Sequence, residues 1–126
     1  MNIPNNLKYT KEHEWVLIEG NVGTLGITDY AQGELGDVVF VDIDPAIAEV
    51  KKGESIGTIE AVKTVSDIFA PFSGKVIEIN EALKDSPEDV NSDPYGKGWM
   101  IKIEISDASE LNDLLDSAAY QALIGQ

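Results

Sequence analysis

The stretch from Gly53 to Asn80 reads GESIGTIEAVKTVSDIFAPFSGKVIEIN, and its interpretation decides the fold. Its many β-branched residues suit a pleated, half-buried surface. On pattern alone, Ser55 to Phe69 forms one long strand, because no turn residue stands around Lys63. Lys63 sits alone in Ala61-Val62-Lys63-Thr64-Val65. Its side chain then reads as an ordinary exposed strand lysine.

Working outward, Gly74-Lys75-Val76-Ile77-Glu78-Ile79 echoes Gly36-Asp37-Val38-Val39-Phe40-Val41 at a distance of 38 residues. Both read Gly-x-Val-aliphatic-x-aliphatic, as expected of two strand units related by a quasi-twofold. Glu14 to Glu19 and Val22 to Ile27 flank Gly20-Asn21, which predicts a tight hairpin. Asp37 to Ile43 is a further β-branched run. Trp99, Ile101, Ile103 and Ile105 alternate with Met100, Lys102 and Glu104 in the period-two pattern of a half-buried strand.

Helical signals are few. Thr28-Asp29-Tyr30-Ala31-Gln32 predicts one helical turn capped by Thr28 or Asp29. Residues 84 to 98 form the longest irregular stretch, a length often found in functional loops or surface lids. Within it, Ser86-Pro87-Glu88-Asp89 reads as an N-cap followed by proline at the first helical position. Asp93-Pro94-Tyr95-Gly96 reads as a turn. Near the C-terminus, Asp107 and Glu110 have capping-box spacing. Leu111, Leu114, Leu115, Ala118, Ala119 and Leu123 follow at helical intervals. They predict one helix, or two broken near Asp116-Ser117, within about residues 108–124.

Composition narrows the function. With 126 residues the chain fits one domain, 1–126, and 43% apolar content supports a core. There is no cysteine, hence no disulfide or thiolate metal site. The single histidine, His13, argues against a His-based metal site or a Ser-His-Asp triad. All nine basic residues are lysine, so the bidentate fork of arginine is absent. A net charge of −14 disfavours nucleic acid and anionic membranes, while keeping the chain soluble or steering it toward basic protein faces. No apolar run approaches the ~20 residues of a membrane helix. The first residues have neither signal-peptide nor transit-peptide character, so a cytoplasmic location is expected. The acidic pairs Asp42/Asp44 and Glu88/Asp89 could serve acid–base chemistry. They sit in hydrophilic turns and at strand ends, with no nucleophile nearby, which argues against an enzyme.

The Gly53–Asn80 segment resembles the attachment hairpin of lipoyl and biotinyl domains, whose target lysine stands at the tip of a tight turn. Biotinyl lysines are flanked by methionines; here Val62 and Thr64 flank Lys63, which favours lipoate. From about Leu7 to Leu123 the chain resembles the glycine cleavage system H proteins. The resemblance is carried by His13-Glu14-Trp15, Gly26-Ile27-Thr28-Asp29-Tyr30-Ala31-Gln32, Leu35-Gly36-Asp37, Glu60-Ala61-Val62-Lys63, Ser66-Asp67, Asn91-Ser92 and Gly98-Trp99-Met100. Ala61 departs from the serine common in that family.

The resemblance implies a mainly β, barrel-sandwich hybrid fold, with a short helix in the N-terminal half and a helical segment at the C-terminus. The attachment hairpin spans about residues 55–70. It implies a carrier without catalytic residues of its own, bearing lipoate as an amide on Lys63. That carrier takes an aminomethyl intermediate from glycine decarboxylase to aminomethyltransferase, and then its dithiol to dihydrolipoamide dehydrogenase. Lipoate-attaching enzymes are further partners. A related carrier relaying lipoate to other lipoyl proteins would use the same lysine. The family holds its loaded arm in an acidic surface groove; Glu14 and Asp67 match those positions, and Glu12 lies close by. His13 either joins that cleft or packs beside Trp15. Trp99, Tyr95 and Pro94 anchor the core or its loops, and Gly36 and Gly74 are expected to permit strand bends after turns.

Overall fold

A computed structural model describes residues Met1–Gln126. Nine strands form two sheets. They are β1 (Lys8–Tyr9), β2 (Glu14–Glu19), β3 (Val22–Ile27), β4 (Val38–Asp42), β5 (Glu49–Val50), β6 (Ser55–Ala61), β7 (Val65–Phe69), β8 (Gly74–Ile79) and β9 (Ile101–Ile105). One sheet has the order β1-β2-β3-β9-β8-β5, the other β4-β6-β7. Every pairing is antiparallel. The mainly β barrel-sandwich hybrid is thus the observed architecture. No helix is long and apolar enough to cross a membrane.

The core explains why two sheets close on each other. Val16, Leu25, Ile101 and Ile103 from the large sheet meet Val38, Val41, Ile59 and Ile68 from the small one, with Phe72, Leu83 and Met100 filling the ends. Each such side chain contributes roughly 1.5–3 kcal/mol by leaving water. A second cluster joins Leu7, Tyr9, Trp15 and Tyr120 and fixes the C-terminus to the first strands.

The Gly20-Asn21 hairpin forms as expected, and only Gly20 of the pair has positive φ (64°), the pattern of a type II′ turn. The two echoing units are both strands, one in each sheet. Their registers shift at corresponding places, between Val38 and Phe40 and between Val76 and Glu78. Each bulge turns its extra aliphatic residue, Val39 or Ile77, toward solvent. Gly74 does not serve a bend. A Cβ there would stand 1.9 Å from the Glu104 carbonyl oxygen, so close approach of β9 is what demands glycine.

Other expectations need correction. Ser55–Phe69 is not one strand but the β6–β7 hairpin, broken at Val62–Thr64. Met100 does not lie on a solvent face; the strand begins one residue later, and Met100 is fully buried while Trp99 is half-buried. The helix after Ser86-Pro87 starts only at Asp89 (α2, Asp89–Ser92), without a side-chain cap. Asp107 caps a 3-10 turn at Ala108–Asp113, but Glu110 does not close a capping box. Its carboxylate instead accepts from the backbone N–H (2.8 Å) and hydroxyl (3.1 Å) of Ser73. The last helix (Ser117–Ile124) follows a break at Asp116, whose carboxylate accepts from the Ala119 N–H. It buries Tyr120, leaving Ala118, Ala119 and Leu123 exposed.

Candidate functional site

Lys63 stands at the tip of the β6–β7 hairpin. Glu60 pairs with Val65, and the Ala61 N–H donates to the Thr64 carbonyl at 2.9 Å. The turn needs no glycine or asparagine because Val62, Lys63 and Thr64 all keep negative φ. Its position is fixed from outside: the Val62 N–H donates to the Asp37 carbonyl at 2.9 Å. A tertiary hydrogen bond therefore does what a turn residue would otherwise do. Sequence pattern alone could not reveal it.

The helix that delivers Asp37 is α1, Asp29–Leu35. Thr28 is its N-cap, accepting from the Ala31 N–H at 3.1 Å. Seven residues form it, where the sequence predicts a single turn. Gly36 ends it with φ +79° and donates its N–H to the Gln32 carbonyl. The aliphatic stem of Lys63 lies over Gly36, while the residue as a whole is exposed. Only two ion pairs exist, Lys52–Asp113 and Lys102–Glu78, so the Lys63 ammonium has no carboxylate partner. An exposed, unpaired amine on a fixed turn fits covalent acylation.

Beside α1 lies a cavity of 290 Å³. Leu35, Ile27 and Ile59 supply apolar lining, and Ser66 and Asp67 line it from β7. Glu12, His13 and Glu14 line it too, as do Tyr30 and Glu34 of α1. The three carboxylates expected from the sequence are thus brought together in one cavity. Lys63 does not line it, but α1 runs from the cavity to Gly36, and β7 from Asp67 to the turn. Three residues, Thr64 to Ser66, separate Lys63 from Asp67 along the chain.

The carboxylates differ in state. Asp67 is exposed, with one oxygen accepting from the Ser55 hydroxyl at 3.2 Å, and Glu12 is exposed. Glu14 is only 2% exposed. Its two oxygens accept from the Thr10 hydroxyl (2.9 Å) and the Phe69 N–H (2.8 Å). Burial pushes its pKa up to about 7, the two hydrogen bonds opposing the rise and Glu12 adding to it. Each oxygen keeps a lone pair for one more donor.

His13 has φ 68°, a conformation uncommon outside glycine although histidine is among the residues that adopt it more readily. It does not pack beside Trp15. Its ring sits 4.9 Å from that of Tyr30 and 5.8 Å from that of Tyr120, and Nδ1 is 2.9 Å from the Tyr120 hydroxyl. Burial lowers its pKa against the pull of Glu12 and Glu34. Trp15 instead donates from Nε1 to the Pro94 carbonyl at 2.9 Å, while the Tyr95 hydroxyl joins Asn2 to Asp29. Pro94 and Tyr95 are therefore loop anchors, as expected. Tyr30, Glu34 and Tyr120 are the residues that sequence reasoning missed. Tyr30 and Glu34 stand four apart in the short helix, spacing that places them on one face.

A larger hollow of 710 Å³ at the β5–β8 edge has a single apolar lining residue and none of these groups.

Comparison with known proteins gives one family throughout. A family model described as glycine cleavage H-protein matches residues 7–126. A glycine cleavage system H protein of Staphylococcus haemolyticus is 56% identical over 126 residues, covering 100% of both chains. The crystal structure of a glycine cleavage system H protein from Mycobacterium marinum matches with a TM-score of 0.89 at 38% identity, over 98% of this chain and 100% of that one.

Proposed function

From the premise that this chain belongs to the glycine cleavage H-protein family, we propose that Lys63 is the residue bearing its lipoyl group and that the 290 Å³ cavity shelters the cargo. The family fixes the general role: this is a lipoyl carrier of the glycine cleavage system, a carrier rather than an enzyme, with lipoate held covalently on a lysine. It works with the enzymes of that system. The observation that carries the assignment is the exposed, unpaired Lys63 on a turn held by Asp37.

Each part of the chain has a task in this reading. Acylation converts the Lys63 amine to an amide and removes its charge. When bound, lipoate supplies a disulfide whose chemistry is sulfur exchange and redox turnover. The attachment point is exposed at the hairpin tip, so a long arm can enter a partner's active site while the domain stays outside. Tethering raises the local concentration of cargo at each enzyme. Glu14, Asp67 and Glu12 favour a protonated amine in the cavity through charge-assisted hydrogen bonds, and the apolar floor limits water.

The partners in this reading are glycine decarboxylase, aminomethyltransferase, dihydrolipoamide dehydrogenase and the lipoate-attaching enzymes. The whole chain acts as one lipoyl-carrier domain, with residues 55–70 as its lipoyl hairpin. Its place of work is the cytoplasm of a bacterium, a reading supported by the bacterial relatives. Reconstitution with glycine decarboxylase tests the role. Glycine-dependent carbon dioxide exchange should require lipoylated protein and vanish with Lys63→Arg. Exchange that persists with Lys63→Arg would overturn the assignment.

A further inference from the structure

The outer face of the small sheet is unusually apolar beside Lys63. Phe40, Glu60 and Val65 form one row across β4, β6 and β7. Phe40 is 47% and Val65 59% exposed. The bulge in β4 turns Val39 (52%) outward as well, and Val62 (72%) flanks Lys63 directly. Strict alternation would have hidden either Val39 or Phe40; the bulge exposes both. Four large apolar side chains around one lysine make a patch that solvent alone does not explain. Carboxylates accompany it: Glu60 stands within the row, between Phe40 and Val65, and Asp37 and Asp42 lie beside it, all exposed.

We propose that this patch is the recognition surface for the enzyme that acylates Lys63. The inference rests on Lys63 being the acceptor. Before acylation the reactive amine stands only about 6 Å from the backbone, the length of the lysine stem. An acylating enzyme must therefore bring its active site close enough to cover Val62, Val65 and Phe40. Enzymes that act later meet a longer arm and are not forced onto the turn. The carboxylates in and beside the patch select a partner surface that combines apolar and basic groups. A second copy of this chain would set carboxylates against carboxylates, at −14 net charge each.

The test uses unacylated full-length protein, a purified lipoate ligase, lipoate and ATP, with acylation followed by intact mass. Phe40→Ser and Val65→Thr should each lower kcat/KM for acylation about tenfold. Val62→Ser, at the most exposed position, serves if Phe40→Ser fails to fold by circular dichroism. Raising salt should slow the wild type and the variants alike, because all of them keep these carboxylates. Once driven to full acylation by long incubation, the variants should support glycine-dependent exchange within twofold of wild type. Acylation rates within twofold of wild type would overturn the patch. So would equal losses in both assays, or a wild-type dimer that the variants dissociate without slower acylation. The Lys63→Arg chain, run alongside, separates the two readings. Mass gain by that chain overturns the Lys63 assignment, whereas Lys63-dependent gain at an unchanged variant rate overturns only the patch.

Discussion

The stem of Lys63 lies across Gly36: its Cγ, Cδ and Cε each stand 3.4 Å from where a β-carbon on Gly36 would be. The helix terminus is thus the floor on which the lysine rests. With φ +79°, Gly36 is also in a conformation other residues adopt at a cost. With ψ at −162° the region is almost confined to glycine, and Gly36→Ala should lower stability by about 1–3 kcal/mol. Contact with the stem is ordinary rather than clashing, so acylation of Lys63 should fall only a few-fold. Denaturant melts and acylation kinetics check the two effects separately.

Glu14 should impose a pH dependence on folding. Its folded pKa, about 7, lies above the ordinary 4.5, so the folded state holds more protons between those values. Its contribution is therefore fully present below about pH 4.5 and is lost as pH rises through 7. Glu14→Gln removes this loss. From pH 5 to pH 8 the variant should gain about 2 kcal/mol relative to wild type, read from urea unfolding at both pH values. A constant difference between the proteins would contradict the raised pKa.

Glu14 and Asp67 should also protect the cargo. With Glu14→Gln and Asp67→Asn combined, the loaded amine should be lost to water several-fold faster, with lipoylation of Lys63 unchanged. Timed release of the cargo from loaded protein measures this, and an unchanged lifetime would remove the cavity from the account.

Tyr120 ties three elements together. Its hydroxyl meets Thr28 at 2.8 Å and His13 at 2.9 Å, and its ring stacks on Tyr9 at 4.7 Å. Tyr120→Phe keeps the stacking but leaves the half-buried His13 Nδ1 without that partner. A loss of about 1–2 kcal/mol is expected in thermal or denaturant unfolding.

What is legible in the sequence depends on where the determinants lie. Strands with local signals, such as the Gly20 hairpin, could be read directly, because turn and alternation are both written within a few residues. The Lys63 turn could not. Its stop signal is the Asp37 carbonyl, more than twenty residues away, and only resemblance to known hairpins indicated it. The C-terminal helix is legible in the spacing of its apolar residues, but the face it buries is not. Alanines and Leu123 have helical spacing, yet the stacking of Tyr120 on Tyr9 decides which side turns inward. Glu14 and Asp67 are legible only through the family resemblance, while the burial that separates their behaviour arises when β2 packs beside β7.

The most direct test of the central claim is the intact mass of wild type and Lys63→Arg after treatment with lipoate ligase, lipoate and ATP. Wild type should gain one lipoyl group and Lys63→Arg none. A lipoyl gain on the Lys63→Arg chain would place the attachment on another lysine and contradict the account.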